Sequence, residues 1–366
     1  MRICVFSERL RRPFDEGIKN YALHLARGLA DQHEVMTLTA RGESIPELGI
    51  ENLRSNPLLL SPWMIQRLRR FRPEVVLYVP TACATPFSFW RARMLKLYAG
   101  GAPVVMVALQ LRQYGRLARL VMPWLCPDLV FVQSEATRET LAWCGCPIQM
   151  LSPGIDTDRF HPVTPEKRLA LRQRYGVSPE AYVPCHVGHL NRGRNVQALL
   201  SLQRHPGHQV IVVGSTSTTH DGELVAELRS SGALLIDTYV ADVAEIYQMA
   251  DCYTFPVHSR ISSIDMPLSV LEAMACNLPV VTTHFGGLPT LFQEGPGFVY
   301  IDGPEQLATA VEACKGVQPE TRRMVEPYAW PRVAQRMLEQ IAHHCRLDPY
   351  SPCPHSSAKI NKRMPS

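Results

Sequence analysis

The first 150 residues alternate short apolar runs with segments in which apolar residues recur every three or four positions. Continuous apolar runs, which predict buried β-strands, occur at 2–6, 35–38, 75–79, 104–109 and 129–132. Helical periodicity at 18–30 places Tyr21, Leu25 and Leu29 on one face. Further helices are predicted at 63–70 and 135–143, opened by Ser61-Pro62 and by Ser134.

The pattern stops at the Pro- and Gly-containing segment 152–162 and then resumes. The second half predicts strands at 182–187, 210–213, 234–236, 253–255 and 279–282, with helices at 196–202, 223–230 and 243–250. A last helix is predicted at 328–343, with Val333, Met337 and Ile341 at helical spacing. The tail from about residue 348 is rich in Pro, Ser and Lys, which predicts disorder.

Apolar strands that alternate with helices predict parallel sheets covered on both faces. We therefore expect an α/β protein with two doubly wound, Rossmann-like domains, at 1–160 and 161–326, followed by a helical segment at 327–346 and a disordered tail at 347–366. Ligands of such folds bind at the carboxyl ends of the strands. A ligand of this protein is therefore expected in the cleft between the two halves.

Composition narrows the class of protein. With 46% hydrophobic and 19% charged residues, the 366-residue chain is typical of soluble two-domain proteins. No apolar run approaches the roughly 20 residues of a membrane span, and no signal peptide is visible. The eleven cysteines are scattered, which favours reduced thiols and a cytoplasmic location. Cys144-Gly-Cys146 has no second pair at zinc-site spacing, so no metal is expected.

The positive charge is concentrated in the first half. Residues 1–150 contain 19 Lys and Arg against 12 Asp and Glu, a net +7, whereas the remainder has a net charge of −2. Several arginine clusters are interleaved with aromatic residues. Such a surface could contact an anionic membrane or acceptor. The alternative is that the arginines are solvated and their stems cover apolar surface. Nucleic acid is not expected, because no binding motif accompanies the charge.

The segment 266–289 is the most informative part of the chain. It predicts a short helix that begins at Ser269, a buried strand and a Gly286-Gly287 turn. Main-chain N–H groups at a helix start attract phosphate, and a carboxylate in the first turn, Glu272, could accept hydrogen bonds from a ribose diol. This combination suits a sugar nucleotide. The alternative is an ordinary crossover in which Glu272 complements the helix dipole.

This segment resembles the donor-site signature of the retaining glycosyltransferases of family 4, the group 1 glycosyl transferases. Their usual pattern is Glu, seven residues, Glu, then Ala-Met-Ala, a Pro-Val-Val strand and a Gly-Gly turn. Glu272 matches the second Glu, whereas Ile264 occupies the place of the first, and Asp265 is one place away as a substitute. The segments 14–30, 132–141, 152–156 and 328–336 also match. The resemblance covers about residues 1–345 and implies the GT-B fold, with two Rossmann-like domains facing a central cleft and a last helix that crosses back to the acceptor-side first domain.

The resemblance also implies which residues form the site. In the family, an Arg and a Lys after the first strand of the second domain stabilise the leaving diphosphate. His189 occupies the Arg position and Arg194 the Lys position, and Arg192 could compensate for the histidine. Catalytic roles are thus expected for Arg194, His189 and Asp265. The remaining expected residues are, on the donor side, Glu272, Ser269, Val270, Leu271, Gly188, Arg192, Gly286 and Gly287, and, on the acceptor or sugar side, Gly17 and Gln110.

The implied function is transfer of a sugar from a nucleotide-diphosphate sugar to a glycan, lipid-linked or small-molecule acceptor, with retention of anomeric configuration and without a metal or other cofactor. The family's reaction is thought to proceed on one face of the sugar, with the leaving phosphate assisting deprotonation of the acceptor. Because Ile264, Gln110 and His189 depart from the family pattern, a non-catalytic protein that binds a nucleotide sugar or a partner remains the alternative. An epimerase of the same fold is disfavoured, because the Leu-Glu-Ala-Met-Ala helix and the terminal helix fit transferases better.

Overall fold

The computed structural model describes residues 1–81 and 83–346, so the predicted disordered tail at 347–366 lies outside the described residues. Two parallel sheets follow one another along the chain. The first has seven strands in the order β3-β2-β1-β4-β5-β6-β7, and the second has six in the order β10-β9-β8-β11-β12-β13. In each sheet the strand that comes first in the sequence, β1 or β8, lies inside the sheet, and the strand order reverses where it pairs with β4 or β11. The predicted α/β fold with two doubly wound domains is confirmed.

The strands are short and entirely parallel within each sheet. Their bounds are β1 Arg2–Phe6, β2 Glu34–Thr39, β3 Ile50–Asn52, β4 Val75–Tyr78, β5 Val104–Ala108, β6 Leu129–Val132, β7 Ile148–Met150, β8 Pro184–Gly188, β9 Ile211–Gly214, β10 Leu234–Ile236, β11 Cys252–Phe255, β12 Val280–Thr283 and β13 Phe298–Ile301.

Helices connect successive strands. Their bounds are α1 Gly17–Ala30, α2 Pro62–Phe71, α3 Pro86–Tyr98, α4 Arg116–Val121, α5 Glu135–Leu141, α6 Pro165–Arg174, α7 Leu199–Gln203, α8 Gly222–Ser230, α9 Ala244–Met249, α10 Leu268–Ala275, α11 Leu288–Leu291, α12 Leu307–Ala313, α13 Thr321–Val325 and α14 Trp330–Cys345. Short 3₁₀ turns, among them Met122–Leu125, Ala142–Cys144 and Arg192–Arg194, lie between them.

Both faces of the first sheet are buried, which explains its continuous apolar strands. Alternate residues of β1 point to opposite faces: Ile3 and Val5 pack beneath α1, and Cys4 and Phe6 pack beneath α2 and α3. The second sheet is covered in the same way on both faces. Parallel strands buried on both faces have no polar alternation, so the apolar runs in the sequence follow directly from this layering.

The last helix packs against the first half of the chain rather than the second. Trp330, Val333, Met337 and Ile341 of α14 belong to the same core as α1 and the first sheet. The Trp330 ring contacts Tyr21 edge to face, with 5.1 Å between ring centroids. Gly154 makes room for this ring, since a Cβ there would lie 2.3 Å from a Trp330 carbon. The chain thus leaves the second half and returns to the first.

Within residues 1–81 and 83–346, each helix is too short or too polar to cross a bilayer.

Candidate functional site

A cavity with a volume of 1390 Å³ lies between the two halves. Its walls are formed by the segments that follow β1, β5, β8, β9 and β11, together with the start of α10. These segments all leave the carboxyl ends of parallel strands, where doubly wound folds bind ligands. The volume exceeds the roughly 300–1,000 Å³ of a typical small-molecule pocket. The cleft can therefore accommodate two substrates together.

Arg194 is a buried cation of this cleft that forms no ion pair within the described part of the chain, whereas Arg12 and Arg159, which also line the cleft, are paired with Glu47 and Asp242. Arg194 ends the 3₁₀ turn Arg192–Arg194, which begins with the Asn191 side chain accepting a hydrogen bond of 3.0 Å from the Arg194 N–H. The guanidinium Nε donates to the Ser262 carbonyl oxygen at 2.9 Å. Only 7% of the residue is exposed. Burial lowers the pKa of Arg194 to about 10, which still leaves it charged at neutral pH.

Gly188 makes the position of Arg194 possible. A Cβ at residue 188 would lie 2.5 Å from Nη1 of Arg194 and 3.1 Å from Nε2 of His186. The guanidinium therefore lies directly over the last residue of β8. An isolated buried cation is costly unless an anion reaches it. The arrangement is chemically suited to an anionic ligand such as a diphosphate.

His189 differs from the expectation of a cation beside the phosphates. It lines the cleft, and its Nδ1 lies 2.8 Å from the Thr218 hydroxyl. Burial, with a contribution from the neighbouring Arg194 charge, lowers the pKa of His189 to about 4. The imidazole is therefore neutral at physiological pH. It can exchange hydrogen bonds with a ligand, but it adds no positive charge to the site.

Arg192 does not compensate for this neutral histidine. Its side chain is exposed and points away from the cleft, toward Asp221, Glu223 and Glu227. Residues two apart in a tight turn face different directions, so Arg194 is directed into the cavity and Arg192 onto α8. The expectation that Arg192 contributes to the donor site conflicts with this geometry.

Glu272 lies at the cleft wall, but not in the first turn of its helix. The helix α10 begins at Leu268, one residue earlier than predicted, because Pro267 provides an extended N-cap. Glu272 is consequently in the second turn, where its carboxylate accepts a hydrogen bond of 2.8 Å from the Tyr247 hydroxyl. Burial raises the pKa of Glu272 above its ordinary value. One carboxylate oxygen is thus oriented by Tyr247.

The start of α10 contributes side chains and main chain unequally. Ser269 lines the cleft, and its hydroxyl accepts a hydrogen bond of 2.7 Å from the Tyr253 hydroxyl. Val270 and Leu271 are fully buried in the core of the second half. Neither side chain lines the cavity, so only their main-chain groups could contact a donor.

Asp265 is not in the cleft, contrary to the expectation that it replaces the missing glutamate. Its carboxylate is 2% exposed and accepts hydrogen bonds from Ser134 at 2.7 Å and Thr137 at 2.6 Å, both at the start of α5. Its N–H donates to the Leu109 carbonyl oxygen at 2.7 Å. Asp265 therefore joins the two halves of the molecule. Ile264, its neighbour, is the residue that reaches the cavity.

Gly286 and Gly287 likewise serve packing and do not line the cavity. Gly286 has a positive φ of 56°, and a Cβ there would lie 2.0 Å from the Asp265 carbonyl oxygen. A Cβ at Gly287 would lie 2.0 Å from the Gln133 carbonyl oxygen of the first half. The turn therefore needs two glycines because it is pressed against both halves, and neither glycine lines the cavity in which the donor is expected.

The expected acceptor-side residues both line the cleft. Gly17 begins α1, and a Cβ there would lie 3.0 Å from the Ile264 Cδ1. The Gln110 amide donates a hydrogen bond of 2.5 Å to the Ile261 carbonyl oxygen. Gly17, Gln110 and Ile264 thus contribute uncharged groups to the cleft wall.

Sequence reasoning missed a polar bridge across the cleft mouth. Asp15 accepts hydrogen bonds from the Thr216 N–H at 2.7 Å, from the Thr216 hydroxyl at 2.8 Å and from the Ser217 hydroxyl. Lys19 donates to the same Ser217 oxygen at 3.0 Å. Asp15 stands in the glycine loop after β1, but no sequence signal pairs it with the segment after β9.

His186 was also missed. It is fully buried beneath Arg194, and its Nδ1 lies 2.9 Å from the Thr254 carbonyl oxygen. A carbonyl can only accept, so Nδ1 is protonated and Nε2 has its lone pair free. Within the described residues Nε2 has no hydrogen-bond partner. Burial lowers the pKa of His186 to about 4, so this ring is neutral too.

Two family models match this chain. "Glycosyl transferases group 1" matches residues 188–314, and "Glycosyltransferase Family 4" matches residues 16–159. The first contains the turn with Arg194 and the helix α10, and the second contains the glycine loop. Together they cover most of the two sheets that face the cleft.

Relatives of known activity are similar at modest identity. Sulfoquinovosyl transferase SQD2 of Arabidopsis thaliana is 25% identical over 339 residues, covering 82% of this chain and 64% of the relative. A GDP-mannose-dependent alpha-(1-6)-phosphatidylinositol monomannoside mannosyltransferase of Mycolicibacterium smegmatis is 29% identical, covering 50% and 52%. The D-inositol 3-phosphate glycosyltransferase of Geodermatophilus obscurus is 30% identical, covering 52% and 46%. The chain thus spans about half to two thirds of the length of these relatives.

Solved structures share the whole architecture. Anabaena Alr3699/HepE in complex with UDP superposes with a TM-score of 0.75 at 16% identity, covering 94% of this chain and all of that one. The sucrose-phosphate synthase of Thermosynechococcus elongatus gives a TM-score of 0.74 at 17% identity, covering 94% and 99%. At this identity the likeness shows the fold alone. With both family models matched and the two-sheet architecture shared, the chain belongs to glycosyltransferase family 4, the group 1 glycosyl transferases with the GT-B fold.

Proposed function

We propose that the protein transfers a sugar from a nucleotide-diphosphate sugar to an acceptor, with retention of anomeric configuration and without a metal. The observation that supports this most is Arg194, a buried guanidinium at the cleft wall whose charge no carboxylate of the described residues neutralises. A guanidinium can hold two phosphate oxygens at once. A diphosphate that gains negative charge as it leaves is the ligand for which such a group is most useful.

Other groups that line the cleft also suit this ligand. The start of α10 offers main-chain N–H groups and the Ser269 hydroxyl to the cavity that Arg194 lines. Glu272, held by Tyr247, would accept hydrogen bonds from the ribose hydroxyls. The uncharged residues Gly17, Gln110 and Ile264 would then surround the sugar.

The reaction needs no nucleophile from the protein. We propose that the acceptor hydroxyl attacks the anomeric carbon on the face that the diphosphate leaves, and that a phosphate oxygen takes the hydroxyl proton. Arg194 would stabilise the diphosphate throughout, whereas the neutral His189 could only donate or accept a hydrogen bond. The glycosidic bond to the acceptor forms as the bond to the diphosphate breaks.

A panel of UDP-, GDP- and ADP-sugars with glycan, lipid-linked and small acceptors tests this proposal. We expect release of nucleoside diphosphate with one donor and a product of retained configuration, and a loss of about 10²–10³ in turnover for Arg194→Ala. Inverted product would overturn the retaining assignment. Arg192→Ala is the matched control, because Arg192 belongs to the same turn but faces Asp221 and Glu227.

A non-catalytic protein that binds a nucleotide sugar is the second candidate. It is favoured by the lack of a carboxylate where the family has its first glutamate: Ile264 occupies that position, and the Asp265 carboxylate lies outside the cleft, hydrogen-bonded to Ser134 and Thr137. Tight binding of a nucleotide sugar without turnover on the whole acceptor panel would support this candidate over the transferase.

We also propose that the first half contacts an anionic membrane that contains or surrounds the acceptor. Between Glu74 and Asp128 the sequence has six Lys and Arg and no acidic residue. In this stretch α4 and the turn after it expose Leu117 by 75% and Trp124 by 84%. Arg116 and Arg119 lie on the same short helix. Exposed apolar side chains beside unneutralised arginines are typical of surfaces that bind the membrane interface.

A further inference from the structure

Three cysteines meet at the edge of the first sheet that lies opposite the cleft. The Sγ atoms of Cys126, Cys144 and Cys146 all lie within 4.8 Å of one another. Those of Cys144 and Cys146 are 3.2 Å apart. None of the three lines the cleft, so the cluster has no part in the proposed transfer reaction.

The topology of the sheet explains why residues eighteen positions apart come together. Cys126 follows the 3₁₀ turn Met122–Leu125 and precedes β6, and Cys146 precedes β7. Strands β6 and β7 are parallel neighbours, with Val130 opposite Ile148, so their amino ends lie side by side. Gly145 has a positive φ of 76°, which lets the chain turn tightly enough to direct both flanking thiols to the same point.

We infer that this cluster is a binding site for one soft, thiolate-seeking cation of the Zn²⁺ or Cu⁺ class. Thiolates at about 2.3 Å from a tetrahedral Zn²⁺ lie about 3.8 Å from each other, a separation within the range that the three sulfurs already span. Soft sulfur donors select these ions over Mg²⁺ or Ca²⁺. Sequence spacing did not reveal the site, because its third ligand comes from the segment before the neighbouring strand.

The cluster is accessible to solvent at one of its three cysteines and enclosed at the other two. Cys144 and Cys146 are buried, whereas Cys126 is half-exposed. Main-chain oxygens lie close to the cluster, with the Cys144 carbonyl oxygen 3.2 Å from the Cys126 sulfur. A cation would enter past Cys126, with water or a small ligand in its fourth position. Bound there, it would tie the turn that follows α4 to the turn that precedes β7.

Metal uptake by the fully reduced protein tests the inference. We expect one equivalent of Zn²⁺ in competition with a chromophoric chelator, and one equivalent of Cd²⁺ with a sulfur-to-metal charge-transfer band. Titration with Cu⁺ against a copper(I) chelator measures the affinity for Cu⁺, which can then be compared with that for Zn²⁺. Cys126→Ser, at the half-exposed position, should weaken binding at least about tenfold. Cys345→Ser is the matched control, since Cys345 is also half-exposed but lies outside the cluster, and it should bind as the unaltered protein does.

A second readout does not depend on any variant being folded. Bound metal should protect Cys126, Cys144 and Cys146 from alkylation in the unaltered protein and leave Cys345 as reactive as before, as measured by mass spectrometry of peptides. The inference is wrong if the reduced protein takes up neither cation, if Cys126→Ser binds as tightly as the control, or if protection falls equally on Cys345.

Discussion

At the scale of single residues, the site contains two buried basic groups, of which one is charged and the other is neutral at physiological pH. Arg194 stays protonated with a pKa of about 10, and His186 beneath it is neutral with a pKa of about 4. A guanidinium resists deprotonation far more strongly than an imidazole, so the same burial has different consequences. One positive charge therefore remains in the cleft wall across the physiological range.

The buried His186 predicts an acid-sensitive fold. Its folded pKa of about 4 is lower than its ordinary value of 6.5, so the unfolded chain binds the proton more tightly. Its contribution to stability is complete above pH 6.5 and is lost as the pH falls toward 4, by about 3 kcal/mol. His186→Phe should keep the stacking with Tyr253 and Phe255 and reduce the pH dependence of the unfolding free energy between pH 6.5 and 4. The remaining dependence is expected from His24 and His189, because burial lowers their pKa to about 4 as well. Denaturant titrations at several pH values measure this. An unchanged pH slope in the variant would show that His186 is not the responsible group.

At the scale of elements, much of the segment from Ile264 to Gly287 connects the two halves of the molecule. Asp265 reaches α5, and the turn after β12 packs against Gln133. Ile264, the start of α10 and Glu272 are the parts of this segment that line the cavity. The sequence motif thus combines residues that line the cleft with residues that hold the wall of the cleft in place.

Gly287 provides a test of this interpretation. In Gly287→Ala the new Cβ would lie 2.0 Å from the main-chain oxygen of Gln133, so the two halves must separate or shift. We expect a loss of about 1–3 kcal/mol in the free energy of unfolding. Gly222→Ala is the control, because nothing lies within 4 Å of its Cβ at the start of α8. Equal stability of the two variants in urea titrations would refute the packing role.

How well the sequence predicted an element depended on where the element lies in its sheet. Central strands such as β1 and β6 are continuous apolar runs, and their predicted bounds are identical to those observed. Of the four edge strands, β3 and β7 were missed because each has only three residues and includes polar ones, and β13 was missed although Phe298–Ile301 is an apolar run. The fourth edge strand, β10, was predicted with its observed bounds. Helix α3 was missed because its buried face includes Ser88 and Arg91, which interrupt the apolar periodicity.

Site residues could be predicted only where a local sequence motif determines their position. Arg194, Glu272 and Gly17 were placed at the cleft by their motifs, and they do line it. Arg192 and Asp265 were misassigned because a motif gives residue types but not side-chain directions: one faces α8 and the other the first half. Cys126 lies near Cys144 and Cys146 because β6 and β7 are neighbours in the sheet, and Asp15 contacts Thr216 because the two halves meet there. No local sequence pattern predicts either contact.

At the scale of the whole molecule, a polar bridge at the cleft mouth and the last helix add to the contacts of Asp265 and Gly287 that hold the two halves together. Asp15 bridges the mouth to Thr216 and Ser217, and α14 returns from the second half to pack against α1. The basic first half lies on one side of this cleft. A donor held by the second half would thus meet an acceptor presented by the first.

The exposed surface of α4 should control membrane contact. Replacing Leu117 and Trp124 by Ala should weaken binding to vesicles of anionic lipid, and raised salt should weaken it further, because charges are screened over about 8 Å at physiological ionic strength. Sedimentation with vesicles measures this. Leu169→Ala in α6 removes an exposed leucine from the second half and should have no effect. If the unaltered protein did not bind anionic vesicles at low salt, the proposal would be contradicted.

The most direct test of the central claim is calorimetric titration of UDP, GDP and ADP into the unaltered protein, Arg194→Gln and Arg192→Gln. We expect at least one nucleotide to bind the unaltered protein, and to bind Arg192→Gln with the same affinity. Arg194→Gln should lose about 1.5–3 kcal/mol, or roughly 10- to 150-fold in Kd, because a charged pair with the diphosphate is lost. Equal affinity in Arg194→Gln, or an equal loss in Arg192→Gln, would contradict the assignment of Arg194 as the diphosphate-binding group of the cleft.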